Sequence, residues 1–140
     1  MPTAGNADVT TNVMLRSEET GGHVSITEIE LPPHTAGPPL HTHDFDEVYY
    51  VLEGELNFRV EDTLTTQGTG ELSFAPRNVP HTLANHGDAP ARYVLVCTPA
   101  GFERHWARLA AEAAGVEPPP WALQPIPEIT VVGPQIAAQA

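Results

Sequence analysis

The chain has 140 residues, which is enough for one domain with its own core and too short to expect two, so we predict a single domain over residues 1–140. Its 18 acidic residues outnumber the 6 basic residues, the formal net charge is −12 at pH 7, and lysine is absent. Such a surface repels a phosphate backbone, which excludes nucleic acid as an expected partner.

The N-terminus and the apolar runs give no sign of a membrane or secretory segment. The stretch MPTAGNADVTTN lacks both the positive start and the apolar core of a secretory signal. The longest apolar runs, such as residues 93–97, are far shorter than the roughly 20 residues that span a bilayer. We therefore expect a cytoplasmic protein without a membrane partner. Cys97 is the single cysteine; it can form no internal disulfide and is expected to be a small buried hydrophobe.

Strand signals dominate residues 9–98. Short β-branched or aromatic runs alternate with Gly, Pro and Asn at intervals of about ten residues, a spacing typical of a sandwich or barrel. The segment ELNFRV, residues 55–60, alternates apolar and polar side chains and predicts a half-buried strand. Gly54 precedes it and predicts a hairpin turn, because glycine enters positive φ without a steric penalty.

Two proline-rich stretches are predicted as connections. Residues 31–39 and 118–120 cannot join a central strand, because proline donates no ladder hydrogen bond. The tail, residues 116–140, offers one short strand candidate at residues 129–132.

One segment predicts a helix. From residue 101 to residue 114, apolar side chains recur at intervals of three and four, and Gly115 follows as a helix-ending residue. The repeating side chains are Phe102, His105, Trp106, Leu109, Ala110 and Ala113.

The segment HTHDFDE concentrates residue types that bind metals. On an extended chain His41, His43 and Glu47 share one parity and project to the same face. A divalent ion of the first transition row accepts imidazole and carboxylate together, and a neighbouring strand about 4.8 Å away could supply a fourth ligand. The His-X-His pattern alone is equally compatible with two ordinary polar residues.

Two ordered motifs resemble those of the cupin superfamily. The first, G-(X)5-H-X-H-(X)3,4-E-(X)6-G, is matched at the positions His41, His43, Glu47 and Gly54. The second, G-(X)5-P-X-G-(X)2-H-(X)3-N, is matched at the positions Gly70, Pro76, His81 and Asn85.

Two motif positions depart from this pattern. The opening glycine of the first motif falls at Thr35, with Gly37 close by, and the inner glycine of the second falls at Asn78. Asn tolerates the left-handed backbone better than most residues, so the turn can survive. The resemblance covers roughly residues 31–98.

The resemblance implies an all-β fold, a double-stranded β-helix or jelly-roll barrel, here followed by the C-terminal helix. It also implies one divalent metal ion bound by His41, His43, Glu47 and His81, and a homodimer. The identity of the ion stays open among Zn, Ni, Mn, Fe, Co and Cu, because affinity follows the Irving–Williams order while occupancy depends on geometry and supply.

The segments TPAGFERHW and PEITVVGP are similar to the C-terminal part of quercetin 2,3-dioxygenase-like monocupins, although Pro127-Glu128 replaces their tyrosine-glycine pair. This likeness implies a metal-dependent dioxygenase that acts on a small aromatic or enolisable oxygenated substrate. In that family the glutamate matching Glu47 accepts a proton from the substrate; a purely structural ligand is the alternative. A non-oxidative isomerase, cyclase or lyase and a non-catalytic binding cupin also remain open.

The substrate-binding residues that we predict are aromatic. Tyr49 shares the parity of Glu47 and is expected beside the metal, and Phe74, Phe102 and Trp106 are candidate walls for a planar substrate. Ordinary core packing is the alternative for each. The histidines without motif support are predicted non-ligands, with His34 the most plausible exception; they are His23, His34, His86 and His105.

Overall fold

The computed structural model describes residues 9–137, so the first eight residues of the N-terminal stretch and the last three of the tail lie outside the described residues. Ten strands dominate this part of the chain. The elements in chain order are β1 (Thr10–Leu15), α1 (Ser17–Thr20), β2 (Ser25–Leu31), β3 (His41–Thr42), β4 (Asp46–Glu53), β5 (Glu55–Val60), β6 (Thr63–Gly68), β7 (Leu72–Ala75), β8 (His81–Ala84), β9 (Ala91–Thr98), α2 (Glu103–Ala114), a 3₁₀ turn (Pro120–Leu123) and β10 (Thr130–Val131).

The strands form two five-stranded sheets. The first has the order β1-β2-β9-β4-β7, and the second has the order β10-β3-β8-β5-β6. The pairings are antiparallel. The predicted all-β cupin-type barrel with a C-terminal helix is confirmed.

Strand alternation places the core between the sheets. In β9, buried residues alternate with half-buried ones, so that Tyr93, Leu95 and Cys97 face the interior. Strand β5 contributes Leu56 and Phe58, both almost fully buried. The prediction that Cys97 is a buried hydrophobe is confirmed, because its side chain is 2% exposed.

The helix and the tail close over one end of the barrel. Helix α2 ends before Gly115, whose φ of 69° is left-handed. In the tail, β10 pairs with β3, and Val132 N donates to Leu40 O at 2.8 Å while Leu40 N donates to Pro134 O at 3.0 Å. The Gln135 side chain donates to the carbonyl of Gly37 at 2.6 Å. The tail is therefore fastened along the connection that precedes β3.

Within residues 9–137 no helix is long and apolar enough to cross a membrane.

Candidate metal centre

The segment that holds the first three candidate ligands changes sheets. His41 lies on β3 in the second sheet, whereas Glu47 lies on β4 in the first. Between them residues 43–45 form a loop, and the side chain of Phe45 is buried within the core. The prediction that His41, His43 and Glu47 project from one face of a single extended segment is therefore wrong. The three side chains converge because the two sheets face each other.

The fourth ligand comes from the strand beside β3. In the pairing of β3 with β8, His41 is the register partner of His81. The ring centroids of these two histidines are 4.5 Å apart, and those of His43 and His81 are 4.6 Å apart. One potential ligand atom from each of His41, His43, Glu47 and His81 lies within 4.8 Å of the others. The structure thus brings all four predicted ligands together, with His41 half-buried and the other three buried.

Each imidazole ring is held by a backbone carbonyl two residues away. His41 Nδ1 donates to Pro39 O at 2.8 Å, and His43 Nδ1 donates to Phe45 O at 3.0 Å. His81 Nδ1 donates to Val79 O at 2.9 Å. A carbonyl oxygen can only accept, so the proton sits on Nδ1 and leaves Nε2 as the free nitrogen of each neutral ring.

Glu47 lies at the centre of the cluster and is 3% exposed. Its Oε1 is 2.8 Å from Nε2 of His43 and 2.8 Å from Nε2 of His81, and it accepts a hydrogen bond from the Tyr49 hydroxyl at 2.7 Å. Burial alone would raise the pKa of this carboxyl, but the hydrogen bonds and charges of the two histidines lower it to about 2. The carboxylate is therefore ionised at neutral pH.

The pKa values of His41 and His81 are shifted in opposite directions. Burial lowers the pKa of His41 and outweighs its hydrogen bond to the Pro39 carbonyl. Burial also acts to lower the pKa of His81, but its hydrogen bond to Glu47 and the charge of that carboxylate raise the pKa above its ordinary value. In the protein without an ion, a proton on His81 is favoured by Glu47.

The donor set fits a divalent transition metal. With protons on Nδ1, the three Nε2 atoms and the carboxylate oxygen are all acceptors that converge on one point, and an unpaired cluster of buried acceptors is costly. Protons on the rings or one cation can neutralise this arrangement. Three nitrogens and one carboxylate oxygen suit a transition ion, whereas Ca²⁺ requires six to eight oxygens.

A turn before β8 docks against the loop that holds His43. Asn78 N donates to His43 O at 2.7 Å, and Asn78 adopts a left-handed φ of 62°. Arg77 binds Asp46 through its backbone N at 2.8 Å and its guanidinium at 3.2 Å, and these hydrogen bonds lower the pKa of the Asp46 carboxyl. Asn78 thus takes the left-handed position of the glycine in the second motif, as expected.

The glycine missing from the first motif is replaced two residues later. Thr35 forms a bridge with Asn85, with both backbone hydrogen bonds at 2.9 Å. Gly37 has a φ of 73°, and a Cβ atom there would overlap the carbonyl of Leu83. Gly37 is therefore the position at which only glycine fits against β8.

A cavity of about 570 Å³ opens beside the four ligands. Its walls combine the barrel interior with α2 and the tail. The lining residues are Val9, Leu31, Gly37, Pro38, Pro39, His41, His43, Glu47, Tyr49, Leu83, Tyr93, Leu95, Phe102, His105, Trp106, Ile126, Ile129, Val131 and Gln135.

Three of the four predicted substrate-binding residues line this cavity, namely Tyr49, Phe102 and Trp106. The fourth, Phe74, does not. It is 48% exposed and pairs with Val48 on the outer face of the first sheet. Phe74 is therefore corrected to a surface position, because the register of β7 against β4 gives it the parity opposite to that of Glu47.

Sequence reasoning missed other lining residues. Tyr93 shares the parity of Cys97 on β9, and this alternation was the available signal. His105, predicted only as a non-ligand, stacks on Phe102 with ring centroids 5.0 Å apart, and burial together with Arg108 lowers its pKa. No sequence signal placed the tail residues on the cavity.

The remaining histidines lie outside the cluster. His34 is exposed and faces Asp88, with Nε2 and Oδ1 3.0 Å apart. In the part of the chain that the structure describes, the four residues of the cluster form the one group of three or more His, Cys, Asp or Glu side chains suited to hold an ion.

Comparison with known proteins gives a family and several structural likenesses. The family model described as "Cupin domain" matches residues 27–97. The polyketide cyclase RemF from Streptomyces resistomycificus is 25% identical with a TM-score of 0.59, and 70% of each chain is covered. TT1209 from Thermus thermophilus is 27% identical with a TM-score of 0.55, covering 64% of this chain and 84% of that one. An RmlC-like cupin from Shewanella frigidimarina is 19% identical with a TM-score of 0.58, covering 67% and 78%, and shows the fold alone. No curated protein sequence matches significantly.

Proposed function

Because the chain belongs to the cupin domain family, we propose that it is an enzyme that uses one divalent transition metal ion to activate a small, apolar, oxygenated molecule. The observation that supports this most strongly is the position of the four converging ligand atoms at the wall of an apolar cavity. Small-molecule sites are typically apolar clefts with a few convergent polar groups. The quartet of donors is complete, which favours catalysis over a purely binding role.

The protein would hold the ion through His41, His43, His81 and Glu47. A bound divalent ion supplies Lewis acidity, and a redox-active one also permits reaction with O₂. The backbone carbonyls fix the three rings, so the Nε2 atoms are oriented before any ion arrives. Three imidazoles and one carboxylate leave room for a substrate oxygen on the cavity side.

Glu47 is the residue that we propose to move a proton. Its carboxylate is ionised and buried, and the Tyr49 hydroxyl holds Oε1 at 2.7 Å. A carboxylate in this position can accept the proton that an enolisable substrate loses. The apolar side chains of α2 and the tail that line the cavity would offer water few hydrogen-bond partners during that transfer.

A non-oxidative reaction is the first candidate. The likeness to the polyketide cyclase RemF supports ring closure, or a related isomerisation or elimination, on an enolisable substrate. In such a reaction Glu47 removes a proton and no redox change is required. A dioxygenase reaction is the second candidate, because the segment resembling quercetinase-like cupins supplies Phe102 to the cavity wall.

The metal is tested by elemental analysis of the purified protein. We expect about one divalent transition ion per chain, in line with a three-histidine, one-carboxylate site. The variant His43→Ala should lose it, whereas His34→Ala, which alters an exposed histidine outside the cluster, should retain it. Metal bound to His43→Ala with unchanged stoichiometry and affinity would refute the site.

The reaction class is tested by excluding O₂. Flavonols and aromatic β-dicarbonyl compounds serve as probes for turnover by the metal-loaded protein. Undiminished turnover without O₂ supports the cyclase-type reaction, and turnover that requires O₂ supports the dioxygenase. Glu47→Gln should keep much of the metal and lose turnover, and full activity in that variant would remove Glu47 from the proton transfer.

A further inference from the structure

A second polar group lines the cavity away from the four ligands. Tyr93 lies on β9 and its side chain is 2% exposed. In the pairing of β9 with β4, Cys97 is opposite Glu47, whereas Tyr93 is opposite Val51. Four residues of strand correspond to about 13 Å between the Cα atoms of Cys97 and Tyr93. The backbone of Tyr93 therefore lies at a different level of the barrel from that of Glu47, while the rings of Tyr93 and Tyr49 are neighbours with centroids 5.8 Å apart.

The Tyr93 hydroxyl has no hydrogen-bond partner within residues 9–137, whereas the Tyr49 hydroxyl is engaged by Glu47. The side-chain polar atoms in that range that are both covered and unpaired are Arg104 Nε and Trp106 Nε1. Tyr93 lines the cavity, so its hydroxyl is a polar group of the cavity wall. A hydroxyl in such a buried position normally has a partner, and a ligand oxygen can provide one.

This phenol is neutral. Burial, followed by the negative charge of Glu47, raises the pKa of Tyr93 above its ordinary value. The group therefore keeps its proton at neutral pH and can donate it in a hydrogen bond to a ligand oxygen.

Within residues 9–137, the cavity also offers no arginine or lysine side chain to an anionic ligand. No arginine lines it within the described residues, and the chain contains no lysine. A phosphate or carboxylate would be desolvated there without a partner of opposite charge other than a bound ion, which is costly. Most of the wall is aliphatic or aromatic, as at Leu83, Phe102 and Ile129.

We propose that the cavity selects a neutral, apolar, ring-containing molecule with two well-separated oxygen atoms. One oxygen is directed to the four candidate metal ligands, and the other is hydrogen-bonded to the Tyr93 hydroxyl. The position of the first oxygen rests on the proposed function; the contact of the second does not. Tyr93 is then a binding residue that favours ligands whose second oxygen is far enough from the first to reach its hydroxyl. A ligand with one oxygen, or with two adjacent oxygens that both reach the ion, gains nothing from it.

Naphthalene derivatives test this proposal. The Zn²⁺-loaded protein is titrated with 2,6- and 2,7-dihydroxynaphthalene, with 2,3-dihydroxynaphthalene and with 2-naphthol, and binding is followed by calorimetry. We expect a separated diol to bind more tightly than 2-naphthol. Tyr93→Phe should weaken binding of that diol about three- to tenfold, as expected for one neutral hydrogen bond, and leave 2-naphthol and the 2,3-diol unchanged.

Tyr50→Phe is the matched control, because Tyr50 is 41% exposed on the outer face of the same sheet. This variant should leave the affinities for all four compounds unchanged. The unfolding midpoint of Tyr93→Phe should equal that of the wild type, since the substitution keeps the ring that packs in the core and removes only the hydroxyl. Equal binding of the separated diols and 2-naphthol by the wild type would overturn the proposal, and so would a preference for the diol that survives Tyr93→Phe.

The same titrations after treatment with a chelator separate this inference from the proposed function. A Tyr93-dependent preference that persists without metal supports the Tyr93 contact on its own. A protein that contains no metal by elemental analysis fails the proposed function, yet the contrast between the wild type and Tyr93→Phe still decides the role of Tyr93.

Discussion

Each ligand of the candidate metal centre is positioned by a second group. The histidines donate through Nδ1 to backbone carbonyls, and Glu47 accepts the Tyr49 hydroxyl. Mutation of a group that orients a metal ligand typically costs about ten- to a hundredfold in metal affinity or activity. Tyr49 is the one of these partners that a side-chain substitution can remove.

We predict that Tyr49→Phe lowers metal affinity by about tenfold or more, because the hydroxyl no longer orients Oε1 of Glu47. Competition with a chromophoric chelator measures the affinity. Tyr50→Phe, the neighbouring tyrosine with the opposite parity, should match the wild type. Equal affinities for the Tyr49 variant and the wild type would show that this hydrogen bond does not position the ligand.

Metal affinity should also increase with pH. Bound imidazoles must be neutral, so protons compete with the ion. Despite its burial, His81 has a pKa raised by Glu47, so competition at this ring begins above the ordinary histidine value of about 6.5. Glu47, with a pKa of about 2, stays ionised throughout. We expect affinity to rise with pH and to level off only once His81 is neutral, above the ordinary histidine value of about 6.5; a flat profile in chelator competition would contradict this.

At the level of elements, short connections determine how the ligand strands meet. The connection before β3 contains Gly37, whose backbone packs against the carbonyl of Leu83 on β8. The turn before β8 contains Asn78, whose backbone N donates to the carbonyl of His43. Both positions have positive φ, and both hold the strands that bear His41 and His81.

Gly37→Ala should therefore destabilise the protein by more than about 1 kcal/mol beyond the cost of Gly70→Ala. Both glycines have left-handed φ values, 73° and 84°, but a Cβ at Gly70 meets nothing within 4 Å whereas one at Gly37 overlaps the Leu83 carbonyl. Urea denaturation of the metal-free proteins gives the two free energies of unfolding. Equal costs would mean that the connection moves aside without strain.

The sequence predicted the ligands better than their arrangement. Motif spacing identified the four residues that converge in the structure, and alternation placed Tyr49 on the interior of β4. The chain's passage from one sheet to the other after Thr42 was not predictable, because parity assumes one uninterrupted strand. The exposed position of Phe74 depends on the register between β7 and β4, which is a long-range property that local pattern does not contain.

At the scale of the whole molecule, an apolar area lies on the outer face of the first sheet. Tyr50 pairs with Leu72, and Val48 pairs with Phe74, in the register of β4 against β7. Leu72 is 54% exposed and Phe74 is 48% exposed. Clustered exposed apolar side chains commonly mark interaction surfaces. Since the resemblance to cupins implies a homodimer, we propose that a second copy covers this area.

Sedimentation velocity tests the dimer. We expect the wild type to sediment as a dimer and the double variant Leu72→Glu, Phe74→Glu as a monomer, because two buried charges on each copy would lack partners. Leu64→Glu places a charge on an equally exposed leucine of β6, in the other sheet, and should remain dimeric. A wild type that is monomeric at all accessible concentrations would contradict the prediction.

The division of the cavity between two parts of the chain has an evolutionary consequence. The four candidate metal ligands lie between residues 41 and 81, whereas α2 and the tail add Phe102, Trp106, Ile129 and Val131 to the wall of the cavity. The tail is fastened mainly through backbone groups near Leu40, which tolerate changes of side chain. Side chains of the tail can thus change the wall of the cavity without replacing any of the four clustered residues, and descendants of one ancestral sequence would then share the cluster while their cavities differ in shape.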